Sequence, residues 1–425
     1  MEPQEFYHSL QRFGVRPGLD SITRLMEKLG NVQNELKFVH VAGTNGKGTV
    51  CHFLESVLTA AGFQVGLYTS PYILDFRERI QVSGEMIPPD ALEYVTQQVS
   101  AAVEALAAEG VVVTEFEAVT AAAFLWFYAQ NCDIVILEVG LGGRFDATNV
   151  IEEPLVSVLT SISLDHTAVL GDTVEQIAFE KAGIIKPNCD AITYLPQPDG
   201  VTDVFRRVAA EKNARLTVVD AARIPTLFED LTGSGIFADN LLLRVPFPGQ
   251  HQKRNALLAY RTLKLLESKG FSIPKDAYDR GFAETRNPAR CEIIAREPLI
   301  LLDGCHNPDS ARALALVMKK YLGEKHAQAV VGMLADKDTD EVVSILAPYF
   351  TKVWCTEPDN PRRLSRHVLA GKFASRGVLA EALPGRQAVR RVLASLSKSD
   401  TLIVCGSLYL CADLRPTLFE VCGRK

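Results

Sequence analysis

The sequence predicts an α/β protein of two domains, a larger N-terminal one on a mostly parallel sheet and a smaller C-terminal one. Three observations carry this. Strand-like and helix-like segments alternate along the chain, which implies βαβ units and parallel strands. The chain has 425 residues, more than one hydrophobic core usually serves. The polar stretch Glu284-Thr-Arg-Asn-Pro-Ala-Arg290 separates two such series and puts the domains at residues 1–286 and 287–425.

Taken in order, Lys37, Phe38, Val39 and Val41 are β-prone, and residues 51–61 have helical spacing. Strands are expected at 64–69, 133–139, 156–162 and 191–195, with helices at 89–108, 114–130 and 173–181. Residues 213–250 change to short extended pieces with Gly and Pro, read as an antiparallel appendage, and a helix from about His251 closes the first unit. The second series has strands at 299–302, 329–333, 352–355 and 402–405. Its helices lie near 309–320, 339–347, 365–374 and 385–397. Ligands of such sheets gather at the carboxyl ends of strands, so a cleft between the domains is the expected site.

Composition narrows the class. Hydrophobic residues make up 47% and charged residues 23%, as in soluble globular proteins. A net charge of −6 provides no footprint for nucleic acid and leaves anionic substrates to local cations or metal. The N-terminus carries Glu2 and Glu5 where a secretion signal carries Lys or Arg, and no apolar run reaches membrane-spanning length. A cytoplasmic location without membrane association is expected. Nine scattered cysteines with no Cys-x-x-Cys pair argue for reduced thiols in the core, not disulfides or a zinc site.

The most informative stretch is Val39-His-Val-Ala-Gly-Thr-Asn-Gly-Lys-Gly-Thr49, a strand running into a phosphate-binding loop. Its glycines let backbone N–H groups face an anion, and the following helix adds its positive N-terminal end. Lys47 supplies a point charge and Thr49 a hydroxyl for Mg²⁺. The loop is shorter before its lysine than the standard form, and Gly48 separates lysine from hydroxyl.

Further polar clusters sit where strands are expected to end. Ser70, in Thr69-Ser-Pro71, is a metal ligand or a turn residue before proline. Glu138 ends an apolar run before a glycine-rich loop with Arg144 and Asp146. It suits a Mg²⁺ ligand or a structural ion pair. His166, in Ser161-Ile-Ser-Leu-Asp-His166, is a metal ligand or a cap. Lys181 has apolar neighbours, so burial would lower its pKa, or it is an ordinary lysine at a helix C-terminus, the reading that the residues alone favour. Asp303, His306 and Asn307 arrive together after a strand, with Arg290 upstream, as a nucleotide-binding group or a turn-and-cap cluster.

Together, Gly43-Thr-Asn-Gly-Lys-Gly-Thr49, Thr69-Ser-Pro71, Glu138-Val-Gly-Leu-Gly-Gly-Arg-Phe-Asp-Ala-Thr-Asn149, Asp165-His166, Glu180-Lys-Ala-Gly-Ile-Ile-Lys186 and Asp303-Gly-Cys-His-Asn307 resemble folylpolyglutamate synthase, including its bifunctional dihydrofolate synthase form. The resemblance implies a Mur ligase-like architecture: a P-loop-type N-terminal domain and a Rossmann-like C-terminal α/β domain. It implies an ATP-dependent ligase that activates a carboxylic acid as an acyl phosphate and joins it to L-glutamate. Dihydropteroate, tetrahydrofolate or both would be the acid, and the enzyme would work as a monomer. By resemblance, Asn45, Gly46, Lys47, Gly48 and Thr49 hold the triphosphate, and Asn255, Arg290 and Asp303 bind the rest of the nucleotide. Ser70, Glu138 and His166 would bind Mg²⁺, and Lys181 would be carboxylated by CO₂ to support a second Mg²⁺. Asp303 and His306 would stand near the reaction centre. Thr114, Glu115, Phe116, Glu117, Phe145, Asp146 and Ala147 would form the pterin pocket, although Thr114 and Glu117 also read as a helix-capping pair. Two rival readings are weaker. A cell-wall Mur ligase usually carries an additional N-terminal domain, whereas this phosphate loop begins by residue 43. A nucleotide-binding scaffold without ligase chemistry would have lost Glu138, His166 or Lys181.

Overall fold

The computed structural model describes residues 2–14, 16, 18–322 and 327–423 and divides into two compact units. The first comprises Met1–Pro225, Ile236–Arg244 and Arg254–Thr285, the second Thr226–Gly235, Val245–Lys253 and Arg286–Lys425.

The first unit is built on an eight-stranded sheet. Its strands are β1 (Phe38–Ala42), β2 (Val65–Tyr68), β3 (Ile80–Val82), β4 (Glu85–Met86), β5 (Ile134–Glu138), β6 (Val156–Leu159), β7 (Asp190–Leu195) and β8 (Arg215–Asp220). Their order is β4–β3–β2–β5–β1–β6–β7–β8. The six strands from β2 to β8 in that order run parallel, and β3 and β4 close one edge antiparallel. Every residue of β1, β2, β5 and β6 is buried, as expected of parallel strands covered on both faces. One core cluster includes Phe38, Tyr68, Phe124 and Phe127, and another Ala42, Ile162, Ile177 and Phe205.

Two expectations need correction. Residues 215–220 are not part of an appendage; they form β8, paired parallel to β7. The helix Val201–Glu211 supplies the crossover that makes this a βαβ unit. Only β9 (Thr226–Asp230), β10 (Gly233–Ala238) and β11 (Leu241–Val245) form the separate three-stranded sheet. Nor does the helix Gln250–Glu267 close the first unit, because the helix Lys275–Glu284 follows in it.

That last helix packs on Lys47–Ala60, the helix that begins in the phosphate loop. Ser56 Oγ donates to Gly281 O at 2.8 Å. A Cβ at Gly281 would lie 2.5 Å from Val57 Cα and 2.8 Å from Val57 N. In an open helix, Gly→Ala gains up to about 1 kcal/mol; here backbone stands in the way, and overpacking costs about 1–3 kcal/mol. Gly281→Ala is therefore expected to lower the thermal unfolding midpoint, and a rise would mean that the two helices part freely.

The second unit carries a six-stranded sheet of β12 (Glu292–Arg296), β13 (Leu299–Asp303), β14 (Ala327–Val331), β15 (Phe350–Cys355), β16 (Leu379–Ala382) and β17 (Thr401–Cys405). The order is β12–β13–β17–β14–β15–β16, with only β12 antiparallel. Its edge strands β12 and β16 and its last helix, Leu408–Val421, are additions to the sequence reading. Among the described residues no helix is long and apolar enough to cross a membrane. None of the nine cysteines is in a disulfide, and eight are buried.

Candidate active site

Sheet order gathers the first group of side chains. Strands β2, β5, β1 and β6 are consecutive and parallel, so the segments leaving their carboxyl ends lie side by side. Ser70 follows β2, Glu138 ends β5, the phosphate loop follows β1, and residues 160–163 follow β6.

The loop turns through Gly46, at φ 89° in the left-handed region, and the helix begins at Lys47. Lys47 Nζ donates to Gly43 O at 3.2 Å and Thr44 O at 3.4 Å. Thr49 is buried in the first turn of that helix. Asn255, in the helix Gln250–Glu267, lies over Gly46, since a Cβ there would meet its Oδ1 at 2.6 Å. The chain thus brings Asn255 to the loop across more than two hundred residues.

Glu138 is buried, and its Oε2 accepts from Ser70 N at 3.2 Å. The same oxygen lies 3.6 Å from where a Cβ on Gly48 would stand. Glycine at 48 therefore leaves open the space between loop and carboxylate. A buried carboxylate, with the hydroxyl residues Ser70 and Thr49 on the segments leaving the adjacent strands, is a set of hard oxygen donors, and it fits Mg²⁺. His166 is less close to a strand end than its sequence suggested. β6 stops at Leu159, and His166 is an exposed residue at φ 52°, preceding the short helix Thr167–Leu170. Its Nε2 lies 3.8 Å from Asp165 Oδ1. Among the described residues no three His, Cys, Asp or Glu side chains form a metal-binding group; a hydroxyl, a carboxylate and an imidazole would not count as one.

Lys181 lies near the end of the helix Val174–Ala182 with only 5% of its surface exposed. Burial, and then the charge of Lys47, lower its pKa from 10.5 to about 7, against the opposing pull of Asp165 and Asp146. The loop after β5 rests on the same helix end. Arg144 N donates to Glu180 O at 2.8 Å, and a Cβ on Gly143 would meet Lys181 O at 2.9 Å.

Asp146 shapes that loop. Its Oδ2 accepts from Leu141 N at 2.8 Å, and its Oδ1 from Thr148 N at 3.0 Å and Thr148 Oγ1 at 2.5 Å. Burial nonetheless raises its pKa. His40, buried in β1, has Nε2 2.9 Å from Thr148 Oγ1. The threonine proton is already given to Asp146, so His40 must donate, which fixes its Nε2–H tautomer. Burial, reinforced by Lys186, lowers its pKa to about 3. It is a neutral structural histidine.

The other residues expected around a pterin divide in two. Thr114 and Glu117 cap the helix Glu115–Ala129: Glu117 Oε2 accepts from Thr114 N at 2.7 Å and Thr114 Oγ1 at 2.8 Å, and its Oε1 from Ser21 Oγ. Both carboxylate oxygens serve the fold, as the capping-pair alternative has it. Phe116 fills the space above Gly140, where a Cβ would meet its ring at 2.5 Å, and packs 5.9 Å from Tyr68. Glu115 pairs with Arg79 at 3.5 Å. Phe145 is 44% exposed beneath the Arg144 guanidinium, 4.8 Å from its ring centroid, while Ala147 is buried.

In the second unit, Asp303 ends β13 and ties two segments together. Its Oδ2 accepts from Cys291 N at 2.9 Å and Cys291 Sγ at 3.3 Å, and its Oδ1 from Cys305 N at 2.9 Å. Arg290 is half-buried between Ala289 at φ 58° and Cys291 at φ 47°, left-handed conformations that non-glycine residues rarely hold and that cluster at functional sites. His306 Nδ1 lies 3.1 Å from Gly304 O. A carbonyl only accepts, so Nδ1 carries a proton in this arrangement. Asn307 caps the helix Pro308–Tyr321.

Sequence reading missed the residues that hold the phosphate loop from β6: Thr160, Ser161, Ser163 and, through Thr160 O and Ile162 N, Gln197. The hydroxyl-rich run Thr160-Ser-Ile-Ser163 is a visible signal for the first three; Gln197 carries none.

With this geometry in view, comparison with known proteins is informative. Residues 41–263 match the Mur ligase middle domain, and residues 289–408 match the Mur ligase, glutamate ligase domain. The chain is 33% identical to the dihydrofolate synthase/folylpolyglutamate synthase of Bacillus subtilis, over 98% of both chains. Among solved structures it resembles Escherichia coli FolC in complex with DHPP and ADP, with TM-score 0.85 and 30% identity over 99% of this chain and 98% of the other. It also resembles a bifunctional folylpolyglutamate synthase/dihydrofolate synthase with Mn, AMPPNP and L-glutamate bound, with TM-score 0.83 and 31% identity over 98% of both.

Proposed function

The chain belongs to the folylpolyglutamate synthase and dihydrofolate synthase family of Mur ligases, and we propose accordingly that it joins L-glutamate to a pterin-bearing acid at the expense of ATP. The acid is dihydropteroate, tetrahydrofolate or both. The observation that carries this reading is the convergence of Lys47, Thr49, Ser70 and Glu138 at three adjacent strand ends, with the low-pKa Lys181 on the neighbouring helix.

The reaction has two displacements. A carboxylate oxygen of the acid bonds to the γ-phosphorus while the bond to the β-phosphate oxygen breaks, leaving ADP and an acyl phosphate. The glutamate amine then bonds to the acyl carbon, and the tetrahedral adduct expels phosphate and loses a proton. In the first step two anions approach, so positive charge must be in place beforehand. Lys47 and the backbone N–H groups of Gly46, Gly48 and Thr49 hold the phosphates. Asn255 steadies Gly46. Thr49, Ser70, Glu138 and His166 would hold Mg²⁺, which supplies charge neutralisation and orientation when bound. Neutral Lys181 adds CO₂, releasing a proton and becoming an anion able to hold a second ion. Arg290 would bind nucleotide, Asp303 would act by fixing the 303–305 turn, and His306 would serve near the reaction centre. Pterin contacts fall to Glu115, Phe116 and Phe145, with Asp146 and Ala147 shaping their loop. The enzyme works as a monomer on small molecules.

The test is purified protein with ATP, Mg²⁺ and L-glutamate, offered dihydropteroate or tetrahydrofolate in parallel. Phosphate release that requires both acid and glutamate is expected with each acid. Release with one acid alone would remove bifunctionality, and release with neither would refute the ligase reading.

A further inference from the structure

We propose that Thr160 and Ser161 are positioning residues whose hydroxyls set the Asn45–Gly46 peptide so that its N–H faces the nucleotide's outer phosphates. The proposal rests on the reading that residues 43–49 hold ATP. It adds residues that neither the phosphate-loop pattern nor the metal set includes.

Two successive residues of the loop, Thr44 and Asn45, are fastened to the segment after β6. Thr44 N donates to Ser161 O at 2.7 Å. Thr44 Oγ1 and Ser163 exchange bonds, at 3.0 Å to Ser163 O and 3.1 Å from Ser163 N. Asn45 O accepts from Thr160 Oγ1 at 2.8 Å and from Ser161 Oγ at 3.0 Å. Thr160 Oγ1 also lies 3.3 Å from Ala42 O, but it has one proton and the shorter contact takes it.

A carbonyl oxygen has two lone pairs, so two hydroxyl donors satisfy Asn45 O on the side of β6. A trans peptide is planar, with C=O and N–H pointing in opposite directions. The N–H of Gly46 therefore points away from residues 160–161. Were this peptide to flip, a carbonyl would take the place of a donor and repel the anion that the loop is built to hold. Gly46 stands at φ 89°, where glycine turns over at little cost, so the loop's own sequence does not resist the flip. The two hydroxyls supply that resistance. Gly43 belongs to the same device: a Cβ there would lie 1.7 Å from Thr160 Oγ1, so the hydroxyl occupies the room its missing side chain leaves. Gln197 buttresses the segment from behind, with Nε2 donating to Thr160 O and Oε1 accepting from Ile162 N, both at 3.1 Å.

The test is calorimetric binding of ATP, ADP and AMP to Thr160→Val, Ser161→Ala, the double variant and Thr160→Ser. Losing these donors is expected to weaken ATP and ADP about tenfold while leaving AMP, which lacks the outer phosphates, unchanged; Thr160→Ser restores binding. Ser161→Ala, the milder change, keeps the test open if the double variant fails to fold. ATP affinity equal to that of the wild type in both Ser161→Ala and Thr160→Val overturns the proposal. So does an equal fractional loss for AMP, which would mark general loosening of the fold. A wild-type chain that binds no ATP would instead sink the reading of the loop itself.

Discussion

Lys181→Ala is expected to lower turnover by roughly 10²–10³-fold, the scale seen when one preorganised electrostatic partner of a reaction is removed, without unfolding the protein. Its ammonium is not anchoring the fold. Only 5% of the residue is exposed, and burial together with Lys47 brings its pKa to about 7. The sign of the stability effect follows. Between about pH 7 and 10.5 the unfolded chain binds a proton on this lysine that the folded chain does not, so this group makes stability rise with pH across that window. Alanine removes that dependence and a buried amine with it. Turnover behaves differently. A neutral amine adds CO₂ and an ammonium does not, so activity that depends on the carbamate falls as pH drops below about 7. It should also fall in CO₂-stripped buffer and recover on adding bicarbonate. Steady-state rates with and without bicarbonate at pH 6 and 8, beside melting curves of both proteins, read these effects separately. Near-normal turnover of Lys181→Ala would show that the lysine does not take part.

Much of this was legible in the sequence because parallel sheets write themselves plainly. β1, β5 and β6 are wholly buried, mostly apolar runs with a polar residue or a glycine at or just after their ends, and the glycines of the phosphate loop come in order. What the sequence could not show is which strands are neighbours. β5 lies between β2 and β1, which is why Ser70 and Glu138 meet although 68 residues separate them. The strand β8 was missed because its alternating Arg215-Leu-Thr-Val-Val-Asp220 is half-exposed, so it looked like the short extended pieces that follow. The residues expected around a pterin illustrate a second limit. Glu117 and Asp146 look like recognition carboxylates in one dimension, yet their oxygens are taken by Thr114, Ser21, Thr148 and Leu141. A motif names residue types near a site, while hydrogen-bond geometry decides which face the ligand and which hold the loop.

Glu138→Gln is expected to reduce turnover by a similar order, roughly 10²–10³-fold, and to raise the Mg²⁺ concentration needed for half-maximal rate. The substitution separates charge from shape. Glutamine has nearly the volume of glutamate and keeps an oxygen to accept from Ser70 N, which Glu138 Oε2 now does at 3.2 Å, so the end of β2 stays in register with β5. What disappears is the negative charge beside Gly48, where the carboxylate is buried. A hard dication prefers an anionic oxygen to an amide oxygen, and few waters reach this position to make up the difference. Glu138→Ala would remove the Ser70 contact as well, so a larger loss of stability is expected for alanine than for glutamine. Titrating rate against Mg²⁺ and then Mn²⁺ at saturating ATP distinguishes the possibilities. If Glu138 holds the ion, the midpoint moves for both metals and excess metal recovers part of the rate. If Glu138 merely braces Ser70, glutamine leaves the midpoint where it was, and the metal site proposed at these strand ends is wrong.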